Sequence, residues 1–182
     1  MRIRLISGQF GGRFIDAPDT SRTHPMSERI RNAMFNIIGD VDGQRVLDAF
    51  AGTGSLGFEA LSRGAQSVTF IERDRVAQKV IAENIELLGV EPSAKLIKSS
   101  IAGWDETSEN DKFDLIFADP PYHDLQFSTV LRLINHLNPN GLMVLSHPGR
   151  ESVPTVNGVV VVDNRSYGDA ALAFYRLDSA AQ

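Results

Sequence analysis

The chain has 182 residues, of which 42% are hydrophobic, and a net charge of −5, enough for one domain with a substantial core. It has no cysteine, which excludes a disulfide framework, a thiolate metal site and a cysteine nucleophile. Residues 1–4 open no apolar signal segment and no run approaches membrane-spanning length, so a cytoplasmic protein without a membrane partner is expected.

In chain order, Arg2 to Ala17 alternate as a hairpin turning near Gly11 and Gly12. Ser27 is placed to cap a helix reaching Ile38, with Ile30, Ala33, Met34 and Ile37 on a buried face that Arg29 and Arg31 need not share. Gly39 to Gly43 close this extension, giving an N-terminal unit over 1–40 and a main unit over 41–182. Strands are expected at Arg45–Asp48, Ser67–Glu72, Ala94–Lys98, Phe113–Ala118 and Gly141–Ser146, separated by helical stretches. Val156–Asn164 and Ala170–Leu177 add two more, and Ser179 to Gln182 form a small polar tail expected to fray. The alternation predicts an α/β fold with a doubly wound parallel sheet.

Charge is unevenly spread. Residues 1–35 carry Arg2, Arg4, Arg13, Arg22, Arg29 and Arg31 against Asp16, Asp19 and Glu28, a balance of +3 that leaves −8 for the rest. A basic N-terminal face on an acidic body suits an extension that grips RNA. Arg63, Arg73 and Arg75 read as solvated charges, and His24, His123 and His136 lack metal-like spacing, so no metal site is expected.

The chemistry concentrates at two strand ends. Asp48 precedes a loop with Gly52, Gly54 and Gly57, a spacing that permits a tight turn, close approach of a ligand and close packing of the following helix. Glu72 ends the next strand, where an acid accepts ribose hydroxyls, so the ligand contains adenosine. Asp48 repels a pyrophosphate but attracts the ammonium and sulfonium of S-adenosylmethionine, which favours the methyl donor over a nicotinamide. Farther on, Asp119, Pro120, Pro121 and Tyr122 make a rigid corner, since each proline fixes its own φ and restricts the residue before it. A carboxylate, a fixed carbonyl and an aromatic face together suit the exocyclic amine of a nucleobase.

Together, Asp48 to Gly57, Glu72 and Asp119 to Tyr122 resemble the class I S-adenosylmethionine-dependent methyltransferases with an amino-methylating motif. His24 to Ser27 with Arg29 to Asn36, Gly8 to Arg13, and Tyr167 to Asp169 with Phe174 and Tyr175 are similar to the bacterial RsmD family over essentially the whole length. Departures are Asn32 and Ala33 in the signature, and Ser99 with Ser100 where an acid or amide is common after the third strand. The resemblance implies a Rossmann-like seven-stranded sheet with an antiparallel final hairpin, and methylation of the N2 amine of a guanine in 16S ribosomal RNA, within a small ribosomal subunit or its assembly intermediate; the short chain with no long apolar edge favours a monomer.

The cofactor residues expected on this reading are Asp48, Phe50, Gly52, Gly54, Glu72, Ile101 and Asp119. Asp119, Pro120 and Tyr122 are the catalytic candidates, while Pro121, Tyr122, Arg29, Arg31 and His147 are the substrate candidates. Trp104 and Asp105 follow the third strand, where adenine is expected, although Trp104 also suits the core. One alternative is a DNA adenine-N6 methyltransferase using the same corner. Only 62 residues separate Gly57 from Pro120 and sixty follow Tyr122, which leaves no room for a target-recognition domain. The other is a non-catalytic RNA-binding assembly factor, against which the intact Asp48, Glu72 and Asp119 speak.

Overall fold

A computed structural model of the chain describes residues 1–19, 25–149 and 152–178. His24 of the signature, Arg22 of the basic set and the tail from Ser179 lie outside the described residues.

The N-terminal hairpin pairs β1 (Arg2–Arg4) with β2 (Phe14–Asp16), strands far shorter than the alternation predicts. The intervening residues leave the ladder to lie on the end of a later helix: a Cβ on Gly8, at φ +80°, would stand 1.8 Å from the Ser62 carbonyl oxygen. Helix α1 (Glu28–Ile38) begins where expected, with the Ser27 hydroxyl accepting from the Ile30 amide.

The main sheet has the order β5-β4-β3-β6-β7-β9-β8, seven strands among the described residues. Strands β3 (Arg45–Ala49), β4 (Ser67–Glu72), β5 (Ala94–Lys98), β6 (Phe113–Ala118) and β7 (Leu137–His147) run parallel. Strand β9 (Ala170–Leu177) is antiparallel to both β7 and β8 (Val159–Tyr167). Helices α2 (Ser55–Ser62), α3 (Arg75–Leu88), α4 (Ile101–Asp105) and α5 (Phe127–Arg132) cover its faces. Strand β8 starts three residues later than predicted because Asn157 and Gly158 form a turn with Gly158 at φ +85°. As the sheet edge it turns Val160 and Val162 outward, an exposed apolar edge not anticipated from the sequence.

Period-two alternation divides the core between the two faces. Val46, Leu115, Phe117, Val144 and Phe174 pack on one side with α1, α2 and α3, while Leu47, Ile116, Ala118, Met143, Leu145 and Tyr175 pack on the other with α4 and α5. Ile3, Leu5, Phe10, Ile15, Met34 and Phe35 of the extension belong to the first of these clusters. The described residues of 1–40 therefore share a core with the sheet. No helix among the described residues is long and apolar enough to cross a membrane.

Candidate active site

Asp48, Glu72 and Asp119 stand at the carboxyl ends of three neighbouring parallel strands. Asp48 is the penultimate residue of β3, Glu72 the last of β4, and Asp119 follows β6, whose final Ala118 pairs with Ala49. Strand order reverses at β3, between β4 on one side and β6 on the other, which is where open α/β sheets form their ligand crevice.

The loop after β3 is shaped by backbone that ordinary side chains avoid. Phe50 (φ +55°), Gly52 (φ +55°) and Gly54 (φ +76°) all lie in the left-handed region, and Phe50 is one of two non-glycine residues with positive φ among those described. Gly52 N–H donates to Glu72 Oε2 at 2.7 Å and Asp74 N–H to Oε1 at 2.8 Å, so the acid both orders the loop and keeps lone pairs to spare on each oxygen. Gly57 serves packing: a Cβ there would lie 2.3 Å from a Phe70 ring carbon and 2.8 Å from Val68. This close approach lets its N–H reach Asp48 Oδ2 at 2.9 Å.

Asp48 is 1% exposed, and burial holds its carboxyl well above the usual carboxylate range, with Asp119 and Glu72 adding repulsion. Asp119 is raised to about 6 by burial, against which the Ser146 hydroxyl pulls. No lysine or arginine pairs with any of the three acids among the described residues. Pro120 is buried, Pro121 half-buried and Tyr122 43% exposed, and the Tyr122 hydroxyl lies 2.8 Å from Ser146 Oγ at the end of β7. A narrow hollow beside Asp119, without room for a water molecule, is lined by Met26 and Met34 of the extension together with Leu56, Phe117 and Ser146.

The fold thus gathers Asp48, Phe50, Gly52, Gly54, Glu72, Asp119, Pro120, Pro121 and Tyr122 at one end of the sheet, and it treats other expected residues differently. Arg31 is 1% exposed, not a surface cation. Its guanidinium donates to the Arg4 and Met26 carbonyls and faces Glu59, so it fastens α1 to β1 and has no free edge for a phosphate. His147 is also buried: its Nδ1 accepts from Gly149 N–H, which leaves Nε2–H to donate to Asn164, so both ring nitrogens hold protein. Ile101 is buried beside Ile71 and Leu47, with little surface left for a ligand ring. Trp104 packs against Phe113 and His136 in the core, while Asp105 engages His136 and Arg132. Arg63 is not solvated either, since it bonds Glu59 at 2.9 Å and lies over the Phe35 ring. Arg29 is exposed.

Two residues carry more than sequence reasoning assigned them. Glu59, fully buried on α2, accepts from Ile6 and Ser7 N–H at 2.9 and 3.1 Å and faces both Arg31 and Arg63. Its signal was a lone acid inside an otherwise apolar helix. Ser146 had no comparable signal, because its importance depends on β7 lying beside β6. Among the described residues no group of three or more His, Cys, Asp or Glu is arranged to hold a metal ion.

A model of the family described as Conserved hypothetical protein 95 matches residues 3–176. The chain belongs to this family. It is the RsmD family whose motifs the N-terminal signature and the Asp-Pro-Pro-Tyr corner resemble. Bacillus subtilis YlbH, assigned as an rRNA methyltransferase, is 33% identical over 96% of this chain and 98% of its own length. The Haemophilus influenzae ribosomal RNA small subunit methyltransferase D is 28% identical over 96% and 93%. Among solved structures, an Escherichia coli chain assigned as a methyltransferase superposes with a TM-score of 0.87 at 28% identity, covering 98% of this chain and 99% of its own. The family member described here is a methyltransferase with the class I sheet.

Proposed function

We propose that this protein transfers a methyl group from S-adenosylmethionine to the exocyclic N2 amine of a guanine in 16S ribosomal RNA, in a small subunit or its assembly intermediate. The observation that carries the reading is the convergence of Asp48, Glu72 and Asp119, unpaired by any base among the described residues, at the carboxyl ends of three neighbouring strands, with the Asp-Pro-Pro-Tyr corner beginning at Asp119.

The residues present fit such a cofactor. Carboxylates that repel one another, Asp48 buried and Glu72 and Asp119 half-buried, favour a ligand bringing positive charge, and S-adenosylmethionine brings an ammonium and a sulfonium. Asp48 and the 50–54 loop would hold its amino-acid end, and the free lone pairs of Glu72 would take the ribose hydroxyls. When bound it supplies an electrophilic methyl on sulfur.

The corner supplies positioning. A guanine amine is a weak nucleophile because its lone pair is delocalised into the ring. Two fixed acceptors, the Asp119 carboxylate and the Pro120 carbonyl, orient its hydrogens, and the exposed face of Tyr122 stacks on the base. With a pKa of about 6, Asp119 is ionised at neutral pH, accepts hydrogen bonds, and is able to take the proton the amine releases. The base must be unstacked to enter. Exposed Arg29, Arg2 and Arg13 of the 1–40 extension supply contacts to RNA phosphates. One copy contains every residue of the site, which supports action as a monomer, and the absence of a membrane-spanning helix among the described residues accords with work on cytoplasmic ribosomes.

The test is methyl transfer from labelled S-adenosylmethionine to small ribosomal subunits, free ribosomal RNA and duplex DNA, with mass spectrometry of the digested nucleosides. N2-methylguanosine from ribosomal substrates is the expected product. N6-methyladenine from DNA would overturn the assignment of the substrate while keeping the corner as an amino-methylating site.

A further inference from the structure

Ser146 stands at the tip of β7, directly beside the catalytic corner. Strand β7 is hydrogen-bonded to β6 with Ala118 opposite Leu145, so Asp119, just past the end of β6, and Ser146, still within β7, stand side by side. Ser146 is 4% exposed, and its hydroxyl lies 2.8 Å from the Tyr122 hydroxyl. Together with Asp119 it lines the narrow hollow at the corner.

We propose that Ser146 is a positioning residue for methyl transfer, a single buried hydroxyl that locks the Tyr122 ring and orients the Asp119 carboxylate for the same base. The donor count sets the direction of the chain. In the proposed chain a carboxylate only accepts, so the Ser146 O–H turns toward Asp119, its neighbour across β6 and β7, and the Tyr122 O–H donates to Ser146 Oγ. Asp119, half-buried just past the end of β6, then has one side held. Tyr122, exposed over much of its surface, has its far edge tied to the buried Ser146 hydroxyl, which fixes the ring. The same polarity accounts for Ser146 opposing the effect of burial on Asp119. The other ionisable groups facing Asp119 are Asp48 on β3 and Tyr122 on its own loop, with Glu72 acting on Asp48 from β4; none supplies a positive charge that would replace the serine. Among the described residues the hydroxyl is therefore the neutral donor that favours the ionised acid without competing with a cationic ligand.

The proposal rests on the corner being the base site, and its test separates the two. In the ligand-free protein, carbon-13 carboxyl NMR follows the Asp119 midpoint, expected near 6 in the wild type, higher in Ser146→Ala and restored in Ser146→Thr. An unchanged midpoint in Ser146→Ala overturns the proposal. In transfer assays on small ribosomal subunits, Ser146→Ala is expected to lower kcat/KM about tenfold, the value of one charge-assisted hydrogen bond, and to move the acidic limb of the pH profile upward. Tyr122→Phe keeps the ring, and its effect should be largely absent in the Ser146→Ala background, because both substitutions cut the same chain. Failure of Ser146→Thr to recover activity, or full additivity of the two losses, also counts against it. If the wild type methylates no ribosomal substrate while the Asp119 midpoint responds to Ser146, the substrate assignment falls and the serine link stands.

Discussion

Gly57→Ala tests whether packing of α2 against β4 sets the strength of the Asp48 site. A Cβ at Gly57 would meet Phe70 Cε1 at 2.3 Å, with Phe70 Cζ and Val68 Cγ1 at 2.8 Å. Carbon atoms rest about 3.5–4.0 Å apart, so the helix must retreat by roughly 1 Å, because Phe70 and Val68 are fully buried and Phe70 is held against Phe58. Overpacking of this kind costs about 1–3 kcal/mol. For a chain of this size that lowers Tm by roughly 2–12 °C. The same retreat stretches the 2.9 Å bond from Gly57 N–H to Asp48 Oδ2 to about 4 Å, outside hydrogen-bond range. The buried Asp48 carboxylate then has no donor, its pKa rises further, and its attraction for a cationic ligand weakens. S-adenosylmethionine affinity, measured by isothermal titration calorimetry beside a thermal melt, should fall about tenfold, equivalent to ~1.4 kcal/mol. A variant with wild-type Tm and wild-type affinity would refute the reasoning, since neither the close approach nor the Asp48 bond would then matter.

Asp119→Ala should abolish transfer in the nucleoside assay while calorimetry shows S-adenosylmethionine binding nearly intact; joint loss of both would contradict the division of labour between Asp119 and Asp48. Folding raises the Asp119 pKa from 3.8 to about 6, so the folded state holds a proton the unfolded chain releases. Its ionisation costs stability above that window, and Asp119→Asn should raise Tm at pH 8 but not at pH 4. Activity of the wild type should decline as pH falls through about 6, and a flat profile would exclude an ionised Asp119. Tyr122→Ala should raise the KM for RNA by about tenfold or more, the loss of one stacked base, with S-adenosylmethionine affinity unchanged by calorimetry. Arg31→Ala should lower stability by about 3 kcal/mol in urea unfolding, because it empties a buried guanidinium site beside Glu59. Arg29→Ala should leave stability unaltered but reduce the salt dependence of RNA binding by about one unit of slope, and equal behaviour of the two variants would remove the distinction drawn between them.

What the sequence alone determined is local. The period-two runs located the sheet strands, Ser27 marked the start of α1, and the spacing of Gly52, Gly54 and Gly57 marked a loop whose first two glycines take positive φ and whose third admits Phe70. Each of these depends on a residue's own backbone preference or on its immediate neighbours. The same holds for the acids: an acid at or just past a strand's end stands at the crevice once the strands are parallel. The fate of individual polar side chains depends on what packs across from them. Arg31 follows a solvated pattern on α1, yet β1 and Glu59 close over it, and Arg63 is drawn into the same network. Gly8 looks like a turn residue but is required where the hairpin presses on Ser62. His147 and Ser146 are adjacent in the chain and alternate in direction, so one braces the loop to Gly149 and the other meets Tyr122. Only tertiary structure decided these, because hydrogen bonds between strands and helices distant in sequence depend on which elements become neighbours, a property that no local pattern of residues encodes.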